Sequence, residues 1–341
     1  MEIREEYMGE ILYLVIPCYN EEAVLNKTSE ELYKKVSKMI FKGKISAKSK
    51  ILLVNDGSKD LTWNIIDELC EKNPIFVGVN LSRNRGHQNA LLAGLMIAKD
   101  YADIVISLDA DLQDDIEVID KFVDEYYLGN DIVYGVRSSR KKDTFFKRTT
   151  ALGFYKFMEN LGVNVVYNHA DYRLMSKRAV EGLEEFKEVN LFLRGIIPLI
   201  GYKYSIVEYE RHERFAGESK YPLKKMISFA IDGITSFSIK PIRIIAVLGF
   251  SILIVSIIAL IYSLIVKFMG KTEAGWASLV ISIWMIGGIQ LFSLGIIGEY
   301  IGKIYNETKA RPRYIIKDKL IKNKDEEINE YNKSDKKNIL K

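Results

Sequence analysis

Two carboxylates one residue apart, Asp109 and Asp111, directly follow the β-rich run DIVISL. At the end of a buried strand such a pair is costly unless a cation lies between the charges. A divalent ion bridging phosphate oxygens is the usual solution, because Mg²⁺ is typically held by one or two carboxylates plus substrate phosphates. Gln113 can add a neutral ligand or donor. A second cluster, Asn55-Asp56-Gly57-Ser58, offers a carboxylate with no adjacent cation, suited to accept from the N–H or O–H groups of a base or ribose. The same residues also suit an Asx turn that binds nothing. The cationic groups come later: Arg137 and Arg140, then Lys147 and Arg148, and finally Arg211, Arg214, Ser219 and Lys220. Arg offers phosphate a planar fork and Lys a point charge. Lys141, Lys142, Lys224 and Lys225 are read instead as solvated or lipid-facing charges. Asp171 stands two residues before Arg173, so a structural ion pair competes with an active-site role. His87, His169 and His212 share no metal spacing and are read as structural or hydrogen-bonding residues.

The elements that must position these groups alternate. Short β-rich runs at Ile11 to Pro17, Lys50 to Asp56, Ile75 to Leu81, Asp103 to Asp109 and Asp131 to Val136 are separated by amphipathic stretches. The clearest of these are Glu22 to Met39, Leu61 to Lys72 and Gln88 to Asp100. That alternation predicts an α/β domain with a mostly parallel, Rossmann-like sheet covered on both faces. Ligands bind such sheets beyond the C-terminal strand ends. The polar clusters PCYNEE, NDGS, SRNRG and DADLQ fall at those ends, so they are expected to converge on one crevice. Phe145 to Leu161 and Asn190 to Tyr202 are amphipathic and aromatic, and the stretch NLFLRGIIPLIGYK carries Arg194 in an apolar setting. An interfacial position at a membrane and ordinary core packing both fit it.

The charge pattern changes sharply after residue 243. Residues 244–266 and 274–298 contain no charged side chain, and each run is long enough to cross a hydrocarbon core of about 30 Å. Gly287, Gly288, Gly295 and Gly298 permit close helix approach in lipid. Basic residues flank the pair: Lys220, Lys224, Lys225, Lys240 and Arg243 before it, Lys303, Lys309, Arg311 and Arg313 after it. The positive-inside rule then puts both long ends in the cytoplasm. The expected organisation is a catalytic domain at 1–218, a basic juxtamembrane segment at 219–243, transmembrane helices at 244–266 and 274–298, and a cytoplasmic tail at 299–341, solvated over its last 20 or so residues. The formal charge of +4 is too small to argue for nucleic acid, and the tail alone accounts for it. Cys18 and Cys70 have neither metal spacing nor an oxidising context. The acidic, polar N-terminus MEIREEYMGE does not read as a signal peptide.

Six motifs in order, PCYNEE, VNDGS, SRNRGHQNAL, LDADLQDD, ADYRLMSKRAV and RHERFAGESKYPL, resemble those of the glycosyltransferase family 2 enzymes that act on polyprenyl phosphates. Dolichyl-phosphate mannose synthases and bactoprenol glucosyltransferases belong to that group. The resemblance covers about residues 10–310. It implies a GT-A fold, inverting transfer, a nucleotide-sugar donor, Mg²⁺ or Mn²⁺, and a homotetramer. Carried over residue by residue, it assigns Pro17, Tyr19, Glu21 and Asp56 to the nucleoside, Arg83 to the donor side, and Asp109, Asp111 and Gln113 to metal and diphosphate. Asp171 falls where the family has an acidic active-site residue, beside catalytic Asp109 and Asp111. Arg137, Arg140, Arg148, Arg211, Arg214, Ser219 and Lys220 are candidates for gripping the acceptor phosphate and the leaving diphosphate.

The expected reaction is transfer of a hexose, glucose from UDP-glucose first, onto undecaprenyl phosphate at the cytoplasmic face of the cell membrane. The product would serve as a lipid-linked donor for modifying cell-envelope glycan. UDP-N-acetylglucosamine, UDP-galactose, a modified arabinose and GDP-mannose are the alternative donors, because hydroxyl selection depends on pocket geometry. A lipid phosphate is already an anion, so it attacks without a general base. A processive polysaccharide synthase would need a Gln-x-x-Arg-Trp motif, and none begins at Gln88, Gln113 or Gln290. A nucleotidyltransferase would need a Gly-rich loop that PCYNEE lacks. A membrane adaptor with a degenerate transferase domain is the reading from another class; loss of Asp109 or Asp111 would have marked it, and both are present.

Overall fold

The structure, a computed structural model, describes residues 9–138, 169–189, 191–210, 240–269 and 275–321. Apolar β-branched runs form strands β1 (Leu12–Cys18), β2 (Lys50–Asn55), β3 (Phe76–Leu81), β4 (Ile104–Ser107) and β5 (Ile132–Arg137), within a residue or two of their expected limits. Helices α1 (Leu25–Phe41), α2 (Thr62–Lys72) and α3 (His87–Ala98) supply the crossovers, and α4 (Ile119–Tyr127) precedes β5. Three further strands were not legible as βα units: β6 (His169–Ser176), β7 (Tyr204–Tyr209) and β8 (Ile316–Leu320).

Together they make one 8-stranded sheet in the order β7-β5-β6-β4-β1-β2-β3-β8. Its centre, β4-β1-β2-β3, is parallel as expected. The α4 crossover carries β5 one position past β4, and β6 fills the gap antiparallel to both. The sheet is therefore mixed. Burial on both faces explains the continuous hydrophobic runs: β1 is buried at every position, and its odd and even residues feed two separate core clusters. Close packing of α3 on the sheet depends on Gly94, where a Cβ would lie 2.4 Å from Val15 Cγ1.

The chain beyond β6 forms α5 (Lys177–Glu184), capped by the Ser176 hydroxyl, and α6 (Leu193–Ile196), which continues as a 3-10 turn to Ile200. Leu193, Ile196 and Ile197 are buried, so core packing, not a membrane interface, accounts for the apolar stretch around Arg194. The uncharged runs become two long helices, α7 (Lys240–Phe268) and α8 (Trp276–Thr308). Helix α7 extends past the expected span 244–266 at both ends, whereas α8 begins inside the expected span 274–298 and runs past its C-terminal end. After α8 the helix stops where Ala310 turns left-handed at φ 45° and Pro312 follows. Within α8, Met285–Thr308 is long and apolar enough to cross a membrane.

The expected tail, 299–341, needs correction over its first part. Residues 316–320 are a strand of the catalytic sheet, antiparallel to β3. An exposed edge of β3 would leave backbone groups unpaired, and the alternating sequence IKDKL supplies a half-buried edge strand to cover it. The expected juxtamembrane segment 219–243 and the amphipathic run 145–161 lie, apart from residues 240–243, outside the described residues.

Candidate active site

The loops after β1, β2 and β3 are knitted together by hydrogen bonds. Asp56 N donates to Cys18 O at 2.9 Å, Asn20 N to Ser58 Oγ at 3.0 Å, Lys59 N to Asn20 Oδ1 at 2.9 Å and Glu21 N to Thr62 Oγ1 at 2.9 Å. The buried Asp56 carboxylate takes Arg85 N at 2.7 Å and Gly86 N at 2.9 Å. Burial pushes its pKa up, and these two amides partly offset that. Asp56 therefore holds the third loop against the second, a role that residue type alone did not disclose. The Asx turn expected as an alternative also forms, with Ser58 N on Asn55 Oδ1 at 3.2 Å. Gly57 sits at φ +63°, and a Cβ there would meet the Arg83–Asn84 backbone at 2.5 Å. Pro17 is buried within β1, Tyr19 and Arg83 are exposed, and Glu21 is half-buried at the mouth of these loops.

Asp109, Asp111 and Gln113 lie on the loop after β4, as expected. Leu112 is left-handed at φ 53°, a conformation costly for a side chain of its size. That turn brings Gln113 N to Asp111 Oδ1 at 3.2 Å. Burial pushes the Asp109 carboxyl up; His87 offsets it, while the charges of Asp171 and Asp111 push it further. The loop is fixed from below by Thr28, whose hydroxyl donates to Ala110 O at 2.6 Å.

Because β6 runs antiparallel to β4, its first residues end beside this loop. Asp171 is there, buried, with Arg173 Nη2 on Oδ1 and Arg194 Nη2 on Oδ2 at 3.0 Å. His87 Nε2, at the start of α3, lies 3.6 Å from Asp171 Oδ2 and 3.7 Å from Asp109 Oδ1. Burial alone would raise the Asp171 pKa, but Arg194, His87 and Arg173 hold it well below the usual carboxylate range. The structural ion pair expected with Arg173 thus forms inside the site. Burial opposes charge on His87, yet the neighbouring Asp171 carboxylate and the charge of Asp109 raise its pKa. Arg173 Nε and Nη1 find no partner among the described residues.

A second cluster adjoins it. Tyr209 of β7 donates its hydroxyl to Asp114 Oδ1 at 2.6 Å, and Arg137 reaches the same pair, with Nε 3.4 Å from the Tyr209 hydroxyl and Nη2 3.8 Å from Asp114 Oδ1. Burial, then the charge of Asp109, raises the Asp114 pKa to about 6. Arg137 is thereby the one expected phosphate-gripping residue among the described residues, placed at the β5 end beside the carboxylate loop. Arg140, Arg148, Arg211, Arg214, Ser219 and Lys220 lie outside the described residues.

His87, Arg194, Asp114 and Tyr209 were missed as site residues. His87 had a signal, since it directly follows the strand-end cluster SRNRG; Arg194 had one too, as the charge in an apolar run. Tyr209 had none, because β7 is remote in sequence from the loop it meets.

The oxygen donors of Asp109 and Asp111, together with their mutual repulsion, suit a hard divalent cation. Among the described residues no group of three His, Cys, Asp or Glu side chains is assembled to hold an ion by itself.

A family model described as "Glycosyl transferase family 2" matches residues 13–183, and one described as "GtrB C-terminal hairpin" matches residues 240–304. The chain is 57% identical over 306 residues to "Uncharacterized glycosyltransferase YkoT" of Bacillus subtilis (strain 168), covering 90% of this chain and 91% of that one. It is 42% identical over 311 residues to "Prophage bactoprenol glucosyl transferase homolog" of Escherichia coli (strain K12), covering 89% and 97%. To "Bactoprenol glucosyl transferase" of Shigella phage SfX it is 40% identical over 306 residues, covering 89% and 98%.

Proposed function

The chain belongs to glycosyltransferase family 2, and from that premise we propose that it transfers a hexose from a nucleotide sugar to the phosphate of a polyprenyl lipid. The observation that carries this reading is the placement of Asp109 and Asp111 at a strand end beside His87, Asp171 and Arg194, in a domain that ends in an apolar helical hairpin. Names of relatives supply the acceptor class, bactoprenol, and glucose as the first donor to test. UDP is the nucleotide proposed.

Asp109 and Asp111, with Gln113 beside them, would hold Mg²⁺ or Mn²⁺. Bound there, the ion would neutralise charge on the leaving nucleoside diphosphate. The remaining work falls to the chain. The loops after β1, β2 and β3 bind the nucleoside, with Tyr19, Glu21 and Arg83 at their mouth. A phosphate oxygen of the lipid forms a bond to the anomeric carbon as the bond from that carbon to the diphosphate oxygen breaks, which inverts the configuration. No proton has to be removed from the acceptor. Asp171 is a poor proton acceptor, since three cationic groups surround it. It acts as the counter-ion that aims His87 and Arg194 at the reacting anions. Arg137, steadied by Tyr209 and Asp114, grips phosphate.

The hairpin match and the apolar α8 support membrane association. We infer a multi-pass arrangement with the catalytic domain on the cytoplasmic side, where the basic flanks and the soluble donor are found. The test is to incubate the detergent-solubilised protein with undecaprenyl phosphate, Mg²⁺ or Mn²⁺ and a panel of nucleotide sugars, alongside Asp111→Ala. A metal-dependent glycosyl-phosphate lipid detected by mass from one donor, and lost in the variant, is expected. Absence of lipid product from every donor, with nucleotide still bound, would remove polyprenyl phosphate as acceptor.

A further inference from the structure

Strand β8 comes after the membrane hairpin, yet it completes the donor side of the sheet. Its attachment begins at the end of α8, where Glu307 Oε2 accepts from Val189 N at 2.9 Å and Arg313 bonds Phe186 O. Ser82 N then donates to Ile315 O at 2.9 Å, directly after β3. Tyr314 and Ile316 pack on one core cluster and Leu320 on the other.

From β8 a line of side-chain hydrogen bonds runs inward across the sheet. Asp318 Oδ2 accepts from Asn80 Nδ2 at 2.9 Å, Asn80 Oδ1 accepts from Asn55 Nδ2 at 2.8 Å, and Asn55 Oδ1 accepts from Ser58 N at 3.2 Å. Ser58 Oγ in turn accepts from Asn20 N at 3.0 Å. Each amide uses its nitrogen toward one neighbour and its oxygen toward the next, so the series runs in one direction, fixed by the Ser58 N–H donor at one end and the Asp318 acceptor at the other. Asn80 and Asn55 are buried. Without the Asp318 acceptor, Asn80 Nδ2 loses its partner, and the buried amide whose oxygen holds Asn55 Nδ2 is left half-satisfied and less firmly placed.

We propose that Asp318 is a positioning residue for the donor site: through Asn80 and Asn55 it orders the turn at residues 55–58 and, through Ser58, the loop after β1. The chain leaving the membrane helices thereby becomes part of the nucleotide-sugar machinery. This assignment rests on the reading of these loops as the donor side.

The test uses the full-length protein and two substitutions, Asp318→Leu, which removes the acceptor, and Asp318→Asn, which keeps one. Amide hydrogen exchange is followed at residues 18–22 and 55–60, with residues 104–112 as the internal reference. Steady-state kinetics are measured separately for donor and lipid acceptor. Asp318→Leu is expected to speed exchange at 55–60 by about tenfold, the scale of one lost hydrogen bond to a charged group, and to raise KM for the donor while KM for the lipid stays constant. Asp318→Asn restores both. Unchanged exchange at 55–60, equal effects on both substrates, or failure of Asn to rescue would each overturn the proposal. If exchange couples as expected but the wild-type protein uses no nucleotide sugar, the relay stands and the donor reading falls.

Discussion

Asp171 illustrates how charge is arranged at the level of single side chains. Its carboxylate is buried against Arg173 and Arg194, with His87 close by, and removing one member of such a group leaves uncompensated charge in a poorly solvated place. Asp171→Asn is expected to destabilise the domain by about 3–5 kcal/mol, the range for breaking a buried pair, as read by denaturant unfolding. A variant as stable as the wild type would mean that the two guanidinium groups have other anchors. The sign with pH follows from the depressed pKa. The stabilisation is complete above the unfolded value of about 3.9 and disappears only as pH falls through the lower folded value.

Turns and strand ends decide how the site is assembled from its elements. Gly57 and Gly43 both have positive φ, near +63° and +67°, but only at Gly57 does backbone crowd the position of a Cβ. Both alanine substitutions carry the left-handed penalty of about 1–2 kcal/mol. Gly57→Ala must also push the Arg83–Asn84 backbone away. Donor binding, measured by nucleotide titration, should therefore weaken in Gly57→Ala and stay unchanged in Gly43→Ala; equal behaviour would show that the loops yield without consequence. At the opposite sheet end, Asp131 ties β5 to the β6–α5 junction by accepting from the Ser176 hydroxyl at 2.9 Å and from Arg178. The bond to Arg178 lowers its pKa despite burial. A group lowered on folding contributes stability above its unfolded pKa. Asp131→Asn should thus melt earlier than wild type at pH 7, with the gap narrowing as pH falls below about 4. A constant gap from pH 7 to 3 would assign the effect to packing.

The molecule as a whole is a sheet domain joined to two helices whose apolar side chains face outward. Phe250, Leu291 and Phe292 are each more than 60% exposed, far beyond what a water-soluble surface tolerates over two long helices. A bilayer supplies the missing contacts. Pairing of β8 with β3 returns the chain to the catalytic domain after α8, so the membrane hairpin proposed above would enter and leave on the same side. Tags placed before Met1 and after Lys341 are therefore expected to be digested together by protease in inverted membrane vesicles and protected together in right-side-out cells. Opposite accessibility would be incompatible with a β8 strand in this sheet.

Local pattern was enough for the parallel strands, their crossover helices, the two apolar helices and the Asp109–Asp111 pair. The reason is physical: strand and helix periodicity, strand-end polarity and the absence of charge are properties of neighbouring residues. Pairings between distant segments were not legible. His87, Asp171 and Arg194 converge only because β6 enters antiparallel beside β4. Tyr209 meets Asp114 only because β7 lies next to β5. Asp318 reaches Asn80 only because β8 closes the far edge. In each case the contact energy is realised after a long loop has been closed, and no local residue pattern records which edge a strand will choose.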